Sequence, residues 1–401
     1  MHYENEFSQF NRFHHGVPDP SARTATGHVP NKYFIGPAIL WFPFFVAAHI
    51  STLVASQLGF GLAPDGYSLL YQIFIGLGSI CYGLIGLVLI YRILLQFFSK
   101  ETALFATTLV TLATNVFYYL TIEPAMSHAM TLFAVSLFVW LWLKDLGGRS
   151  RRGILLLGLS AGLMSMIRPQ DILFSILYAA EWVGFVGRKG TAEGIQATLI
   201  RRILNAALFA LGFVAALIPE IIVWKILYGS WLLYSYAGEP FYPFAPHLLD
   251  SLFSAYHGLI SWTPIVAFAL AGLLLFLTDQ PRIGLLLLIA FVLQWYLNAS
   301  WWCWWFGVSF GNRAYVSCSF LFAIGIATLL ARLRHWRKSV QVICGILICW
   351  NLLFTAQYAL QMLPLNAPVE WRQVLVNQYR VIGRAIDFVR PGNYPKPMFA
   401  K

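Results

Sequence analysis

The chain has 401 residues, of which 59% are hydrophobic and only 11% are charged, and its mean hydropathy is +0.68. This composition excludes an ordinary soluble globular protein. The net charge of +11 does not indicate nucleic-acid binding, because the basic residues cluster in short loops at the ends of apolar stretches. The five scattered cysteines give neither a disulfide framework nor a metal-ligand spacing.

Long apolar stretches follow one another along the chain. A hydrocarbon core about 30 Å thick requires about 20 mostly apolar residues per helix, and backbone groups in lipid must be hydrogen-bonded within the segment. The predicted spans are residues 35–58, 68–98, 102–120, 125–143, 153–167, 171–187, 203–224, 259–277, 283–299, 316–333 and 339–362. The sequence therefore predicts an all-α fold, a polytopic transmembrane helical bundle of about 10–11 apolar segments.

The loops between these segments alternate in charge. Basic loops such as 144–152, 188–202 and 332–338 are predicted to be cytoplasmic by the positive-inside rule. Three regions follow: residues 1–67 form an extracytoplasmic loop with a juxtamembrane or re-entrant segment, 68–362 form the transmembrane domain, and 363–401 form an extracytoplasmic tail. Segment 35–58 either crosses the membrane from a cytoplasmic N-terminus or dips into the outer leaflet, which its two prolines favour.

The outward connections carry single ionisable residues among aromatic residues, proline and glycine. Ionisable residues at such helix ends are costly in lipid and indicate a functional site. We expect one outward cavity to collect three cations suited to a phosphate or pyrophosphate, with two acids and a histidine lining it. The cations are Lys32, Arg168 and Arg313, and the lining residues are Glu123, His128 and Asp171.

Each of these residues also has a simpler interpretation. Lys32 fits a residue that snorkels to the interface, and Arg168 fits a cation at a helix end. A lone histidine such as His128 is more often a packing residue. The tryptophans of residues 301–305 fit an interfacial aromatic belt, and Glu220 with Lys225 fits a structural ion pair.

The outward segments resemble those of bacterial GT-C glycosyltransferases, relatives of protein O-mannosyltransferases and lipid A aminoarabinose transferases. NKYFIGPAILWFPF at residues 31–44 resembles their first periplasmic loop and the segment after it. The motifs at 123–129, 168–170, 261–264 and 309–313 recur in the same order in that family. The resemblance spans nearly the whole chain and favours the juxtamembrane or re-entrant interpretation of segment 35–58.

The family's catalytic base is an acidic residue, usually Asp, just after the first transmembrane helix. Residues 1–7 resemble a later part of that loop, so the resemblance implies that the first helix and the Asp are missing from this chain. The catalytic residue is therefore unknown, with Glu4 and Glu6 as fallback candidates.

The resemblance implies a membrane glycosyltransferase that moves a sugar from a polyprenyl-phosphate donor to an acceptor at the outer face of the bacterial cytoplasmic (inner) membrane. Its expected partners are the polyprenyl-phosphate-linked sugar, membrane lipids and an acceptor glycan, lipid or protein, without nucleic acid. No cofactor is certain, and a divalent metal between carboxylate and phosphate is an open option. Two alternatives remain: a truncated, non-catalytic binder of polyprenyl-phosphate lipids, and a secondary transporter, which would place broken helices near the bilayer midplane.

Overall fold

The structure is a computed structural model that describes residues 23–187, 195–236 and 238–390. These residues form helices and loops, with one isolated β-bridge between Phe241 and Trp301. The α-helices are α1 (Gly36–Gln57), α2 (Leu69–Leu94), α3 (Lys100–Leu112), α4 (Val116–Thr121), α5 (His128–Lys144), α6 (Arg151–Ile167), α7 (Ile176–Trp182), α8 (Ile195–Tyr228), α9 (Leu248–Phe253), α10 (Leu259–Trp262), α11 (Ile265–Asp279), α12 (Pro281–Ser300), α13 (Ser319–Arg332), α14 (Arg337–Ala359) and α15 (Trp371–Val389). Short 3₁₀ helices occupy Pro169–Ser175, Arg313–Cys318 and Arg334–Trp336.

Six helical stretches of the described residues are long and apolar enough to cross a membrane. The stretch Arg313–Arg332 is central, since 83% of its most apolar window is buried, against 11% for Gly36–Gln57 and 11% for Thr198–Tyr228. Apolar side chains that face outward suit a lipid solvent and would be unfavourable in water. The predicted all-α polytopic bundle is confirmed.

Small residues bring the helices close together. Gly158 and Gly162 of α6 meet α8, whose Gly212 faces α6 in return, and Gly272 of α11 faces Gly325 of α13. A methyl group at any of these positions would overlap backbone atoms of the opposite helix. Such contacts are typical of membrane helices, where backbone packing replaces the hydrophobic effect between helices.

Several predicted spans are divided. Segment 102–120 is two helices, α3 and α4, and segment 259–277 is interrupted before Pro264, because a residue that precedes proline avoids the helical conformation. Segment 171–187 is partly 3₁₀, and 316–333 begins as 3₁₀. The breaks lie at the end of the bundle where the candidate residues lie.

Segment 35–58 is one continuous helix, α1, which runs through its internal proline. Its contacts with α2 fall in the first half of that helix: Trp41 Nε1 donates to Ser79 Oγ at 2.8 Å, and His49 Nδ1 lies 2.6 Å from the hydroxyl of Tyr71. A helix without a break lacks the turn of a re-entrant loop. Its juxtamembrane position stays a prediction, as do the sidedness and the three-region division of the chain.

Candidate functional site

Arg168 ends helix α6 and begins the cluster. Its backbone is extended, as expected for a residue before proline, and its N–H still donates to the carbonyl of Met164 at 3.0 Å. Nη1 lies 3.2 Å from His128 Nδ1. With the Gln170 amide oxygen turned toward it, Nε and Nη2 donate to that oxygen at 2.9 and 2.5 Å. Neutral groups thus hold this cation, and no carboxylate of the described residues lies within ion-pair distance of it.

Arg313 begins the 3₁₀ helix Arg313–Cys318, after a turn in which Gly311 has a positive φ of 62°. Nη1 contacts the Val308 carbonyl at 3.4 Å and the sulfur of Met126 at 3.5 Å. The contact with the carbonyl is long for a hydrogen bond, and a thioether sulfur is only a weak acceptor. Within the described chain its Nε and Nη2 have no hydrogen-bond acceptor, and no carboxylate pairs with it within 4.0 Å.

Buried polar groups of α4 fix the turn before Arg313. The hydroxyl of Tyr119 accepts from the Phe310 N–H at 3.1 Å, and Asn115 Nδ2 donates to the Asn312 carbonyl at 3.2 Å. The ring of Tyr119 also lies 4.5 Å from the ring of His128. Tyr119 therefore connects the Arg313 turn to the histidine that contacts Arg168.

Glu123 follows α4, and its carboxyl lies within the electrostatic influence of Arg313. Burial raises the pKa of the Glu123 carboxyl, and the positive charge of Arg313 and the Tyr118 hydroxyl oppose that rise. The side chain is half-buried. Glu123 therefore places a weakly acidic carboxyl beside a cation that has no ion-pair partner.

The two arginines also affect each other. Burial lowers the pKa of the Arg168 guanidinium, Asp171 opposes that fall, and the charge of Arg313 lowers it further. Since arginine stays protonated in proteins, the lowered pKa expresses first the cost of burying this charge and then the repulsion from Arg313. An anion would relieve it.

Asp171 is sealed beneath this surface. It has no solvent exposure, and neither carboxylate oxygen has a hydrogen-bond partner in the described part of the chain. Its N–H donates to the Arg168 carbonyl at 3.0 Å, and Gln294 Nε2 from α12 donates to the Gln170 carbonyl at 3.1 Å. Buried polar groups thus hold the turn that carries Arg168, and Asp171 lies beneath it.

Lys32 is not an isolated cation, contrary to the reason for selecting it. Its Nζ pairs with Glu239 Oε1 at 2.5 Å, and Trp302 Nε1 donates to the other oxygen of Glu239 at 3.3 Å. The ring of Tyr236 lies 5.7 Å from the ammonium. Burial raises the pKa of the Tyr236 hydroxyl to about 12, and the charge of Arg168 opposes that rise. Tyr236 is therefore near both the Lys32 ammonium and Arg168.

The structure thus brings Arg168, Arg313, Glu123 and His128 to one end of the bundle, with Asp171 beneath them. Lys32 lies alongside in its own ion pair. Glu4 and Glu6, the fallback candidates for the base, lie outside the described residues.

The suggested ion pair between Glu220 and Lys225 is absent. Glu220 Oε2 accepts the N–H of Ile35 at 2.7 Å, and Lys225 Nζ donates to the Gly229 carbonyl at 2.8 Å. The first backbone N–H groups of a helix and its last carbonyls lack partners within the helix. Glu220 therefore bonds to the start of α1, and Lys225 bonds to the end of α8. Glu220 therefore fixes the start of α1.

Tyr119, Tyr236, Glu239 and Gln294 are not among the site residues predicted from the sequence, and Gln170 is named there only as part of the motif at 168–170. Gln294 is detectable in retrospect, because an amide in the middle of an apolar helix must find a partner. Glu239 and Tyr236 lie in an outward segment that was identified only as a whole. Tyr119 gives no signal in the sequence, since a tyrosine in an apolar helix is common.

A divalent metal finds no ready site here. No group of three His, Cys, Asp or Glu side chains within the described residues is arranged to hold a metal ion.

A family model matches part of the chain. Residues 72–189 match that of dolichyl-phosphate-mannose-protein mannosyltransferase. This match supports a membrane glycosyltransferase of the GT-C type. The matched segment contains Glu123, His128, Arg168 and Asp171, whereas Lys32 and Arg313 lie outside it. The predicted resemblance to GT-C glycosyltransferases is confirmed for residues 72–189, whereas its extent over nearly the whole chain stays a prediction. No curated protein and no solved structure matches the chain.

Proposed function

We propose that this chain transfers a sugar from a polyprenyl-phosphate donor to an acceptor at the outer face of the bacterial cytoplasmic membrane. The observation that carries the proposal is the pair of guanidinium groups, Arg168 and Arg313, without carboxylate partners in a partly buried polar cluster. Unpaired charges in such a place are costly. Arginine matches phosphate oxygens with parallel N–H donors, so a phosphate ligand accounts for both residues.

The same geometry suits the chemistry of transfer. As the glycosidic bond to phosphate breaks, negative charge grows on the phosphate oxygens, and fixed cations stabilise that charge. The acceptor hydroxyl must lose its proton to a base within hydrogen-bond reach. Glu123 is the carboxylate that the cluster offers for this step, since Glu239 is bonded to Lys32 and Asp171 is sealed from the surface.

The donor class rests on the family match. A sugar carried on a lipid phosphate also requires no nucleotide-binding domain. A lipid-borne donor diffuses in the plane of the bilayer, so its phosphate reaches the ends of membrane helices. The acceptor stays a glycan, a lipid or a protein until transfer is measured.

The test is transfer itself. The chain is reconstituted in membranes, and radiolabelled sugar leaving its polyprenyl-phosphate carrier is followed in the wild type and in Arg313→Ala. Arg332→Ala is the matched control, because Arg332 is a half-exposed arginine that pairs with Asp279 away from the cluster.

We expect Arg313→Ala to lose retention of the donor lipid and transfer, and Arg332→Ala to keep both. Donor retention without transfer by the wild type would favour the non-catalytic binder. Equal donor retention by the wild type and Arg313→Ala would refute the phosphate site.

A further inference from the structure

Helix α15, within the predicted C-terminal tail, is amphipathic in an unusual way. One face packs on the bundle: Val374, Asn377 and Val381 are buried, and Asn377 Nδ2 donates to the Met362 carbonyl at 3.1 Å. From α14, Gln357 Nε2 donates to the carbonyl of Val374 at 3.1 Å. This face explains why the helix is attached, but it uses only part of the surface.

A second face of α15 is apolar and exposed. Its members recur at spacings of three and four, which places them on one stripe of a helix. They are Leu375 (55% exposed), Tyr379 (91%), Ile382 (70%), Ile386 (53%) and Val389 (82%). A contiguous apolar stripe of this kind marks a surface that another phase or partner covers.

A third face is basic. Arg372 and Arg380 are exposed on it, and Arg390 lies 3.6 Å from Asp387. Residues 371–390 contain four arginines and one acid, Asp387, so the helix carries net positive charge, and its first residue is Trp371. Arginine and tryptophan flanking an apolar stripe are typical of helices that lie in a membrane interface.

The position of α15 points to the covering phase. It touches the last turn of α14, part of the candidate span Arg334–Ala359, and begins 12 residues after that helix ends. Near that end, the ring of Tyr358 lies 5.7 Å from the ring of Tyr118, which is beside Glu123. The helix therefore lies where a span leaves the bilayer, at the same end of the bundle as the candidate site.

We propose that α15 lies in the surface of the bilayer, with its apolar stripe in the acyl boundary and its arginines on the phosphates of anionic phospholipids. A lipid surface fits because it is continuous with the surface around α14 and because the basic flank complements anionic headgroups. This inference does not depend on the glycosyltransferase assignment. It makes α15 a surface anchor at the same end of the bundle as the candidate site.

The test uses the full chain without its five cysteines, in nanodiscs that contain phosphatidylglycerol and phosphatidylcholine. A single cysteine at Ile382→Cys, on the stripe, carries an environment-sensitive fluorophore. Asp387→Cys, on the polar side, is the matched control, and Leu375→Cys repeats the stripe measurement if the first variant does not fold. Quenching by doxyl-labelled lipid and by iodide is compared.

We expect doxyl lipid to quench the stripe probes and iodide to quench the Asp387→Cys probe. Replacing Arg372 and Arg380 by Gln, or omitting phosphatidylglycerol, should shift the stripe probes toward iodide, since each arginine near an anionic leaflet contributes a bias of about fivefold. Iodide access at the stripe equal to that at position 387 would overturn the proposal. Shielding of the stripe from both quenchers would also overturn it, since a protein contact would then cover α15, and insensitivity to both changes would remove the role of the arginines.

Discussion

Replacing each arginine of the cluster by lysine separates charge from geometry. The guanidinium has five N–H donors in a fixed fork, whereas lysine carries a similar charge at one point. In Arg168, Nε and Nη2 bond to Gln170 and Nη1 contacts His128. In Arg313, only Nη1 has hydrogen-bond partners among the described residues, and both are weak, so the edge formed by Nε and Nη2 keeps its donors for a ligand.

This difference sets the expected magnitudes. Arg313→Lys should lose one of the two parallel hydrogen bonds to phosphate, and a hydrogen bond to a charged group contributes about 1.5–3 kcal/mol. That loss corresponds to about 10- to 150-fold in the dissociation constant. Arg168→Lys should lose less, about tenfold or below, because most of the Arg168 donors are used within the protein and its charge remains.

The assay is binding of a polyprenyl-phosphate analogue to the purified chain in nanodiscs. Arg332→Lys is the control, because it makes the same arginine-to-lysine exchange outside the cluster. Thermal unfolding of each variant is recorded beside it to establish folding. A dissociation constant for Arg313→Lys within twofold of the wild type would refute the fork argument. A larger loss in Arg168→Lys than in Arg313→Lys would reverse the assignment of roles.

Three further outcomes follow from charge and packing. Because burial raises the pKa of Glu123, the rate of transfer that needs its ionised form should increase with pH at values above the ordinary carboxyl range. Glu123→Gln should abolish this increase, and an unchanged pH profile would exclude Glu123 as the base. Burial lowers the pKa of His257 to about 3, so the stability that depends on its neutral form is complete above about pH 6.5 and is lost as the pH falls toward 3. The unfolding temperature should therefore fall on acidification in the wild type more steeply than in His257→Gln, and equal slopes would contradict this. Gly325→Leu should destabilise the bundle by at least about 1–3 kcal/mol, because even its Cβ would overlap the Ala269 carbonyl, whereas Gly345→Leu, with nothing within 4 Å, should unfold like the wild type.

The sequence predicts the helical bundle well because lipid forces backbone groups to bond within long apolar helices. It does not predict the breaks in those helices. Segment 102–120 has no proline or glycine at its break, yet the helix stops near Thr114. The carbonyls of Leu112 and Thr114 accept from Asn351 Nδ2 of α14, each at 2.9 Å, so a residue more than two hundred positions away stabilises the break. No local pattern contains that information.

Helix α15 is the opposite case, because its pattern is local and visible in the sequence. Its stripe recurs at helical spacing, but the segment is too polar for a membrane span, so a criterion of long apolar runs places it in a tail. Apolar residues at 3.6-residue periodicity identify it instead. The two periodic signals answer different questions, one about crossing a membrane and the other about lying on a surface.

The candidate site shows where charge counting in a sequence fails. Lys32, Arg168 and Arg313 are equivalent as isolated cations in outward segments, but folding places Glu239, 207 positions from Lys32, on the lysine. A paired cation and its acid present little net charge to a ligand, whereas the two arginines keep theirs. Since Arg168 is held by neutral partners and Arg313 keeps donors for a ligand, the positive field is concentrated where the charge of Arg313 acts on Glu123. A ligand phosphate drawn to that field would arrive beside the one carboxyl of the cluster that is neither sealed nor paired, which is the arrangement that acid–base chemistry next to a phosphate leaving group requires.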